Sequence, residues 1–311
     1  SWTKKTLQAA GHVTRATRRG AHRKKRPRKP LPGMMLHQDG STHEWVPDCQ
    51  WDLIVTLDDA TSELYSAFFV EEEGTVSSLR GLREVIETQG LFSSLYTDRG
   101  SHYWLTEAAG GKVDTSRPTQ VHRALQQLGV TLIPAYSPEA RGRSERAFRT
   151  LQDRLPKELA LAGITEMAAA NRYLTEQFLP QHNERFMVRA TEPGTAFIPW
   201  VGTHLAEILC VQDERVVAKD NTVRYQGMTL QIPQDPHRFH YVKVTVRVHA
   251  YPDGTLAVFH GPRCLARYDA DGRLIEPEGE AHRRKIPTPR SSARPIVDPR
   301  ATVRDQISAH G

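Results

Sequence analysis

Between Met34 and Glu72 the apolar residues fall into three short runs, MMLHQD, DLIVTLDDA and LYSAFFVEE, each reading as a β-strand bounded by turn-forming residues. Val76, Leu79, Leu82, Val85 and Ile86 then recur at three- and four-residue spacings, which predicts an amphipathic helix over 75–89. LFSSLYTD predicts a fourth strand, 120–128 a second helix and VTLIP a fifth strand. A long helix is expected from Gly142, with Phe148, Leu151, Leu155 and Leu159 on one stripe, and another over 166–180. Pro156 interrupts the stripe and is expected to kink or end that helix near Leu155, since it cannot donate to the carbonyl four residues back. Three strands followed by alternating helix and strand define an α/β class with a mixed sheet.

After Trp200 the pattern returns to short strands: AEILCVQ, RVVA, TVRYQG, MTLQIP, KVTVRVHAY and TLAVFHG, the last two joined by a Pro252-Asp253-Gly254 turn. So many short strands in sequence predict a small barrel or sandwich. The expected division is a basic arm or linker over 1–33, an α/β core over 34–200, a small β domain over 201–281 and a basic flexible tail over 282–311.

Charge sharpens that division. The net charge of +6 conceals 11 basic and no acidic residues in 1–38, and 7 basic against 2 acidic in 282–311, leaving 24 basic against 34 acidic between them. Basic ends on an acidic body point to a polyanion held by the ends, with carboxylates reserved for work inside. Residues 21–33 combine six basic residues with three prolines and read as an extended linker. Cys49, Cys210 and Cys264 are odd in number and far apart, which supports neither a disulfide framework nor a zinc cluster. No apolar run has membrane-spanning length and no secretory leader is visible, so a cytoplasmic setting without membrane contact is expected.

Three carboxylates stand at element ends beside the predicted sheet. Asp39 ends the first strand in HQDGSTHEW, Asp98 the fourth in LYTDRGSHY, and Glu145 opens a helix in SPEARGRSERAF. Singly, each is more often a solvated or capping group; together they form a set of hard oxygen ligands suited to magnesium. Asp58 and Asp59 in LDDATSEL compete, but their position fits turn bonding, and Asp58 is kept as the alternative first ligand. His37, His43 and His102 flank the carboxylates without a zinc-binding spacing and read as surface histidines. Arg141, Arg143, Arg146 and Arg149 crowd the start of the Glu145 helix and read as partners of a polyanion's phosphates beside the carboxylates. Lys24, Lys25, Arg26 and Arg28 are expected to follow the phosphate backbone of such a polyanion without reading its sequence.

In DGSTHEW with LDDATSEL, in YTDRGSHY, and in YSPEARGRSERAFRTLQDRLPKELALAGI followed by HNERF, the chain resembles the DDE transposases and retroviral integrases, most closely the bacterial ISNCY insertion-sequence transposases. The resemblance spans about residues 34–200. It implies an RNase H-like core followed by a small all-β barrel, with Asp39, Asp98 and Glu145 as a catalytic triad holding two magnesium ions, for which manganese substitutes. The implied reaction is strand cleavage followed by transfer of the exposed 3′-hydroxyl. The implied partners are transposon-end and target DNA, bound by a homodimer or higher assembly. Family members carry an N-terminal helix-turn-helix region, so residues 1–33 are expected to be the remnant of such a module, and an apolar residue is expected where Pro156 stands. Two alternatives remain: an RNase H-fold nuclease or junction resolvase that stops at hydrolysis, and a catalytically inactive DNA-binding protein. The third sequence block joined to a β module speaks against the first, and the presence of all three carboxylates against the second.

Overall fold

The computed structural model describes residues 6, 10, 26–106, 111–136, 142–234 and 238–275. Lys24, Lys25, Arg141 and the basic tail 282–311 lie outside these residues.

A long antiparallel hairpin forms the centre of the first half. β1 (Leu36–Val46) pairs with β2 (Cys49–Asp58) along its whole length, and β2 pairs with β3 (Leu64–Val70). On the other side β1 runs parallel to β4 (Ser94–Thr97), which in turn runs parallel to β7 (Thr131–Pro134). The sheet order is β3-β2-β1-β4-β7. A minor hairpin of β5 (Leu105–Thr106) and β6 (Val113–Asp114) lies between β4 and β7 in the chain.

Helices cover both faces. α1 (Thr75–Thr88) and α2 (Gln120–Gln127) bury Leu79, Leu82, Val85, Val121 and Leu125 against Leu36, Leu95 and Leu132. On the opposite face α3 (Ser144–Leu161) and α4 (Met167–Tyr173) pack Phe148, Leu151, Leu155 and Ala170 against Leu53, Val55, Leu57 and Phe69. The alternation of β2 explains this: Leu53, Val55 and Leu57 share one face by the two-residue period of a strand. The mixed sheet with flanking helices fits the RNase H-like α/β core.

α3 overturns one expectation, for it continues through Pro156 to Leu161. Leu151 and Leu155 before the proline and Leu159 after it are all fully buried, and this burial outweighs the one backbone hydrogen bond that proline removes. After α4 a π-helical turn, Leu174–Phe178, leads directly into α5 (Leu179–Phe186). Two asparagines on this helical run protect the free edge of β3. Asn183 accepts from Leu64 N at 2.9 Å and donates to Leu64 O at 2.8 Å, and Asn171 does the same for Phe69 at 2.6 and 3.1 Å. Their side-chain amides supply the pairing that a sixth strand would otherwise complete.

The C-terminal half is an antiparallel sheet of β8 (Val211–Val216), β11 (Thr245–Ala250), β12 (Leu256–His260), β13 (Arg263–Tyr268) and β14 (Leu274–Ile275), in the order β14-β13-β12-β11-β8. A hairpin of β9 (Thr222–Tyr225) and β10 (Met228–Gln231) buries Val223, Tyr225 and Leu230 in a core shared with Val246, Val248 and Val258. The Pro252-Asp253-Gly254 turn forms as expected, Gly254 taking φ +84. AEIL, by contrast, is the short helix α6 (Leu205–Ile208), with Leu205 and Leu209 packed into the α2 side of the α/β core. Arg123 and Gln120 of α2 fix the following segment: Arg123 donates to Cys210 O at 2.6 Å and Gln120 to Gln212 O at 2.7 Å.

The pair Asp58-Asp59 closes β2. Asp58 Oδ1 accepts from Ala60 N at 2.7 Å and Thr61 N at 2.8 Å, and Oδ2 from Gly33 N at 2.9 Å, which is the turn bonding expected of it. Asp59 is fully buried and accepts from the guanidiniums of Arg26 and Arg143, from Lys29 N at 2.8 Å, and faces His37 Nε2 at 2.7 Å. Burial pushes its carboxyl up, but the hydrogen bonds from His37, Arg26 and Lys29 together outweigh that and hold it well below the usual carboxylate range. The basic segment thus docks from Arg26 onward; Arg28 donates to Asp59 O at 2.9 Å and Ser62 Oγ at 2.9 Å.

Two predictions follow from these buried groups. Asp59→Asn leaves two guanidiniums without their counter-charge and is expected to cost about 3 kcal/mol in urea unfolding; wild-type stability in the variant would refute the role assigned to the carboxylate. His182 and His249 are buried, and burial lowers each to about 4 from 6.5. The unfolded chain therefore binds more protons than the folded one as pH drops below 6.5, so stability present at pH 7 is lost on acidification toward 4. The thermal midpoint is expected to be lower at pH 5 than at pH 7, and the difference to shrink in His249→Gln; an unchanged difference would remove His249 from the account.

Candidate active site

The site starts from strand register. Leu36 lies beside Leu95 and His37 beside Tyr96 in the parallel β1–β4 pair. The ladder ends at His37–Tyr96, two residues short of Asp39 on β1 and of Asp98 just after β4, and the charges of both aspartates reach the Tyr103 hydroxyl. Asp39 does not end its own strand: β1 continues to Val46, with Asp39 opposite Val55 of β2. What ends there is β4, which is only four residues long. The antiparallel partner sustains β1 while the parallel one stops, so Asp39 sits where that side of β1 becomes open.

Asp98 is shaped by a tight turn. Its Oδ1 accepts from Gly100 N at 2.8 Å, and a Cβ at Gly100 would meet that same oxygen at 3.0 Å and the His102 ring at 2.9 Å. Glycine is the residue that lets TDRGSH fold back on its aspartate.

Beneath the two aspartates lies a buried polar network. Tyr103 Oη donates to Gln38 Oε1 at 2.8 Å, and Gln38 Nε2 donates to Thr56 Oγ1 at 3.0 Å and Ser78 O at 3.2 Å. These bonds tie the residue before Asp39 to the segment after Asp98. Burial raises the Tyr103 hydroxyl well above its ordinary value, and the charges of Glu73, Asp39 and Asp98 push it the same way. Tyr103 therefore stays protonated and able to donate.

Glu73 is a neighbour that the sequence pattern did not single out. A Cβ at Gly40 would fall 2.2 Å from Glu73 Oε2, so a glycine next to Asp39 makes room for this carboxylate against β1. His102 Nε2 lies 3.4 Å from Glu73 Oε1, and Asp52 Oδ2 accepts from Glu73 N at 2.6 Å. In VEEEG the three acids look like a solvated turn; the only sequence signal was the glycine following Asp39.

Glu145 is exposed on the first turn of α3, where a carboxylate suits the positive end of the helix dipole. Asp39, Ser41, Glu145, Arg149 and Gln152 line one cleft of about 390 Å³. Gln152 Nε2 donates to Ser41 Oγ at 2.9 Å, which fastens α3 to β1 on that face. Asp39 and Ser41 share the α3-facing side of the strand, as the two-residue period requires. Among the described residues no three His, Cys, Asp or Glu side chains come close enough together to hold a metal ion. Asp39 and Glu145 thus line one cleft, and Asp98 follows the strand that runs parallel to β1.

The other predicted basic residues separate. Arg26 and Arg143 meet at Asp59, Arg28 binds the loop after it, and Arg146 is exposed with its Nε donating to Gly142 O at 2.9 Å. His37 is buried against Asp59, not on the surface; burial lowers its pKa more than Asp59 raises it. His102 is half-buried beside Glu73, and His43 packs edge-on against Trp45.

No family model matches the chain. It is 31% identical over 254 residues to the candidate transposase y4bF of Sinorhizobium fredii, covering 79% of this chain and 54% of that protein. It is 30% identical over 161 residues to the transposase for insertion sequence IS1202 of Streptococcus pneumoniae, covering 52% of this chain and 34% of that one. The chain thus spans about half the length of the first relative and a third of the second. Among solved structures it overlays distantly on a simian T-cell lymphotropic virus intasome, with TM-score 0.42, 14% identity and coverage of 88% of this chain and 92% of that one. The HTLV-2 integrase catalytic core domain in complex with magnesium overlays at TM-score 0.36 and 15% identity, over 47% and 88% of the two chains. By sequence the chain is similar to these two bacterial transposases.

Proposed function

We propose that the chain cuts and joins DNA as a polynucleotidyl transferase of an insertion sequence, with Asp39, Asp98 and Glu145 as its catalytic carboxylates. The observation that supports this reading is the β1–β4 register, in which Asp39 and Asp98 each follow the last paired residues, His37 and Tyr96, by two. The Asp39–Glu145 cleft adds the third carboxylate and Arg149. Carboxylate oxygens are the hard donors that magnesium and manganese prefer. The three residues would hold two such ions, which when bound stabilise charge on the attacking and leaving oxygens of an in-line phosphoryl displacement.

The chain's own residues do the rest. Arg149 neutralises phosphate charge entering the cleft, and the Gln152–Ser41 bond keeps α3 against β1. The Gln38–Tyr103 network holds the two aspartates in register while keeping its own polar atoms satisfied. Water attacks the first phosphodiester and leaves a 3′-hydroxyl; that hydroxyl attacks target DNA in the second step, so no covalent protein intermediate is required. The core extends over 34–200 and the remaining sheet and hairpin act as a barrel-like module that contacts DNA or a second copy of the chain. Joining two ends to one target calls for two such sites in a dimer or larger assembly.

Asp98→Asn and Glu145→Gln are each expected to lower joining of a labelled 3′-end to a second duplex by about 100-fold or more while DNA affinity stays near wild type. Wild-type joining in either variant would sink the assignment. Chelation should stop both cleavage and joining, and magnesium or manganese should restore them. Metal-dependent cleavage with no transfer to the second duplex would favour a nuclease of the same fold.

A further inference from the structure

A second cleft, about 320 Å³, flanks the same helix and is lined by Arg28, Ser62, Arg143, Arg146, His182 and Phe186. The periodicity of α3 separates the two: Glu145, Arg149 and Gln152 face the Asp39 cleft, whereas Arg143, Arg146 and Thr150 face this one.

Three guanidiniums meet here, and no carboxylate lines the cleft. Asp59 beneath it is the nearby counter-charge, and it is already shared between Arg143 and Arg26. Arg28 spends its Nη1 on two carbonyls and on Ser62 Oγ, none of which carries charge. Ser62 accepts that bond through its oxygen and keeps a proton to donate. The wall opposite is His182, 6% exposed, whose Nδ1 has no hydrogen-bond partner among the described residues. The ring is not free to turn away: it stacks on Phe178 with centroids 5.5 Å apart and packs against Phe186 at 4.8 Å. A buried imidazole nitrogen without a partner is costly unless something completes it. Packing among Arg26, Arg28 and Arg143 is repulsive as well, and the Arg143 guanidinium is lowered by burial and by the charges of both neighbours, offset in part by Asp59.

We propose that this cleft binds a phosphate group of the DNA strand, held by Arg28, Arg146 and the Ser62 hydroxyl, with Arg143 and the His182 ring at its back. An anion of this kind balances the excess positive charge, and the start of an 18-residue helix adds to the attraction. The inference rests on the reading that the chain acts on DNA. Given that reading, one strand would be gripped on both flanks of α3, and the grip would fix which phosphodiester reaches Asp39 and Glu145. Free inorganic phosphate shares the chemistry and is the other possible source of the anion.

The test uses the full chain, a labelled duplex oligonucleotide and a KCl series, with thermal unfolding in inorganic phosphate as the second arm. Arg146 is exposed, so Arg146→Gln should keep the wild-type melting temperature, and Arg28→Gln combined with it removes both contacts. The double variant is expected to bind DNA at least tenfold more weakly at low salt and to lower the slope of log affinity against log salt by about 1, for the one phosphate the cleft holds. Arg83→Gln, an exposed arginine on α1, is expected to leave the slope unchanged. If wild type binds DNA and the double variant matches it in slope and affinity, the cleft is not a DNA-phosphate site, and the proposed function stands. If wild type does not bind DNA at any salt, the proposed function fails. A phosphate-dependent rise in melting temperature that Arg146→Gln abolishes, with DNA binding unaltered, assigns the cleft to free phosphate and overturns the DNA source.

Discussion

One buried carboxylate binds together the parts that the candidate site needs. Asp59 holds Arg26 and Lys29 of the basic segment, His37 of β1 and Arg143 at the start of α3. His37 stands two residues before Asp39 on the same face of the strand, and Arg143 two residues before Glu145. The two candidate residues on opposite walls of the cleft are thus anchored through near neighbours to a single charge. Removing a buried ion from its partners costs several kcal/mol, so strand, helix and arm are not free to adjust separately.

The second constraint is geometric. A parallel pair has one register, and in this one Asp39 and Asp98 each lie two residues beyond the His37–Tyr96 pair. The alternation of β1 then divides the work between faces. Asp39 and Ser41 turn to α3, while Gln38 and Gly40 turn to α1, where Gln38 meets Ser78 and Gly40 admits Glu73. The buried network on the α1 side has no room to shift, because a Cβ on Gly81 would already lie 2.6 Å from Gln38 Nε2. Packing on the far side of the sheet therefore stiffens the strand that carries Asp39.

Much of this was legible in the sequence because it depends on period. The strands and helices of the core follow from alternation and three- and four-residue spacing, and the turn role of Asp58 from its place in LDDATSEL. What was not legible depends on partners distant in the chain. Asp59 looked like a second turn residue, since nothing local indicates that Arg26, His37 and Arg143 converge on it. His37 looked superficial for the same reason. The length of β1 depends on β2 as its partner, so its strand did not end at the first polar residues. AEIL became a helix because Leu205 and Leu209 find the α/β core, and Pro156 was tolerated because the stripe around it is buried. Asn171 and Asn183 protect the edge of β3 from over 100 residues away, a distance at which no pattern signal exists.

The arginines at the start of α3 show how a correct compositional reading can still be too coarse. Read along the chain, Arg143, Arg146 and Arg149 form one basic patch beside Glu145. Wound into a helix of 3.6 residues per turn, Arg143, Arg146 and Thr150 fall within about 60° of one another, and Glu145, Arg149 and Gln152 within about 60° on the other side. Arg149 therefore joins Glu145 in the cleft with Asp39, while Arg143 and Arg146 line the cleft with His182 and Arg28. Arg143 is further set apart by burial against Asp59, which gives it a structural load that Arg146 does not bear. Positive charge therefore reaches both clefts from one helix, and this follows from nothing more than the 3.6-residue turn.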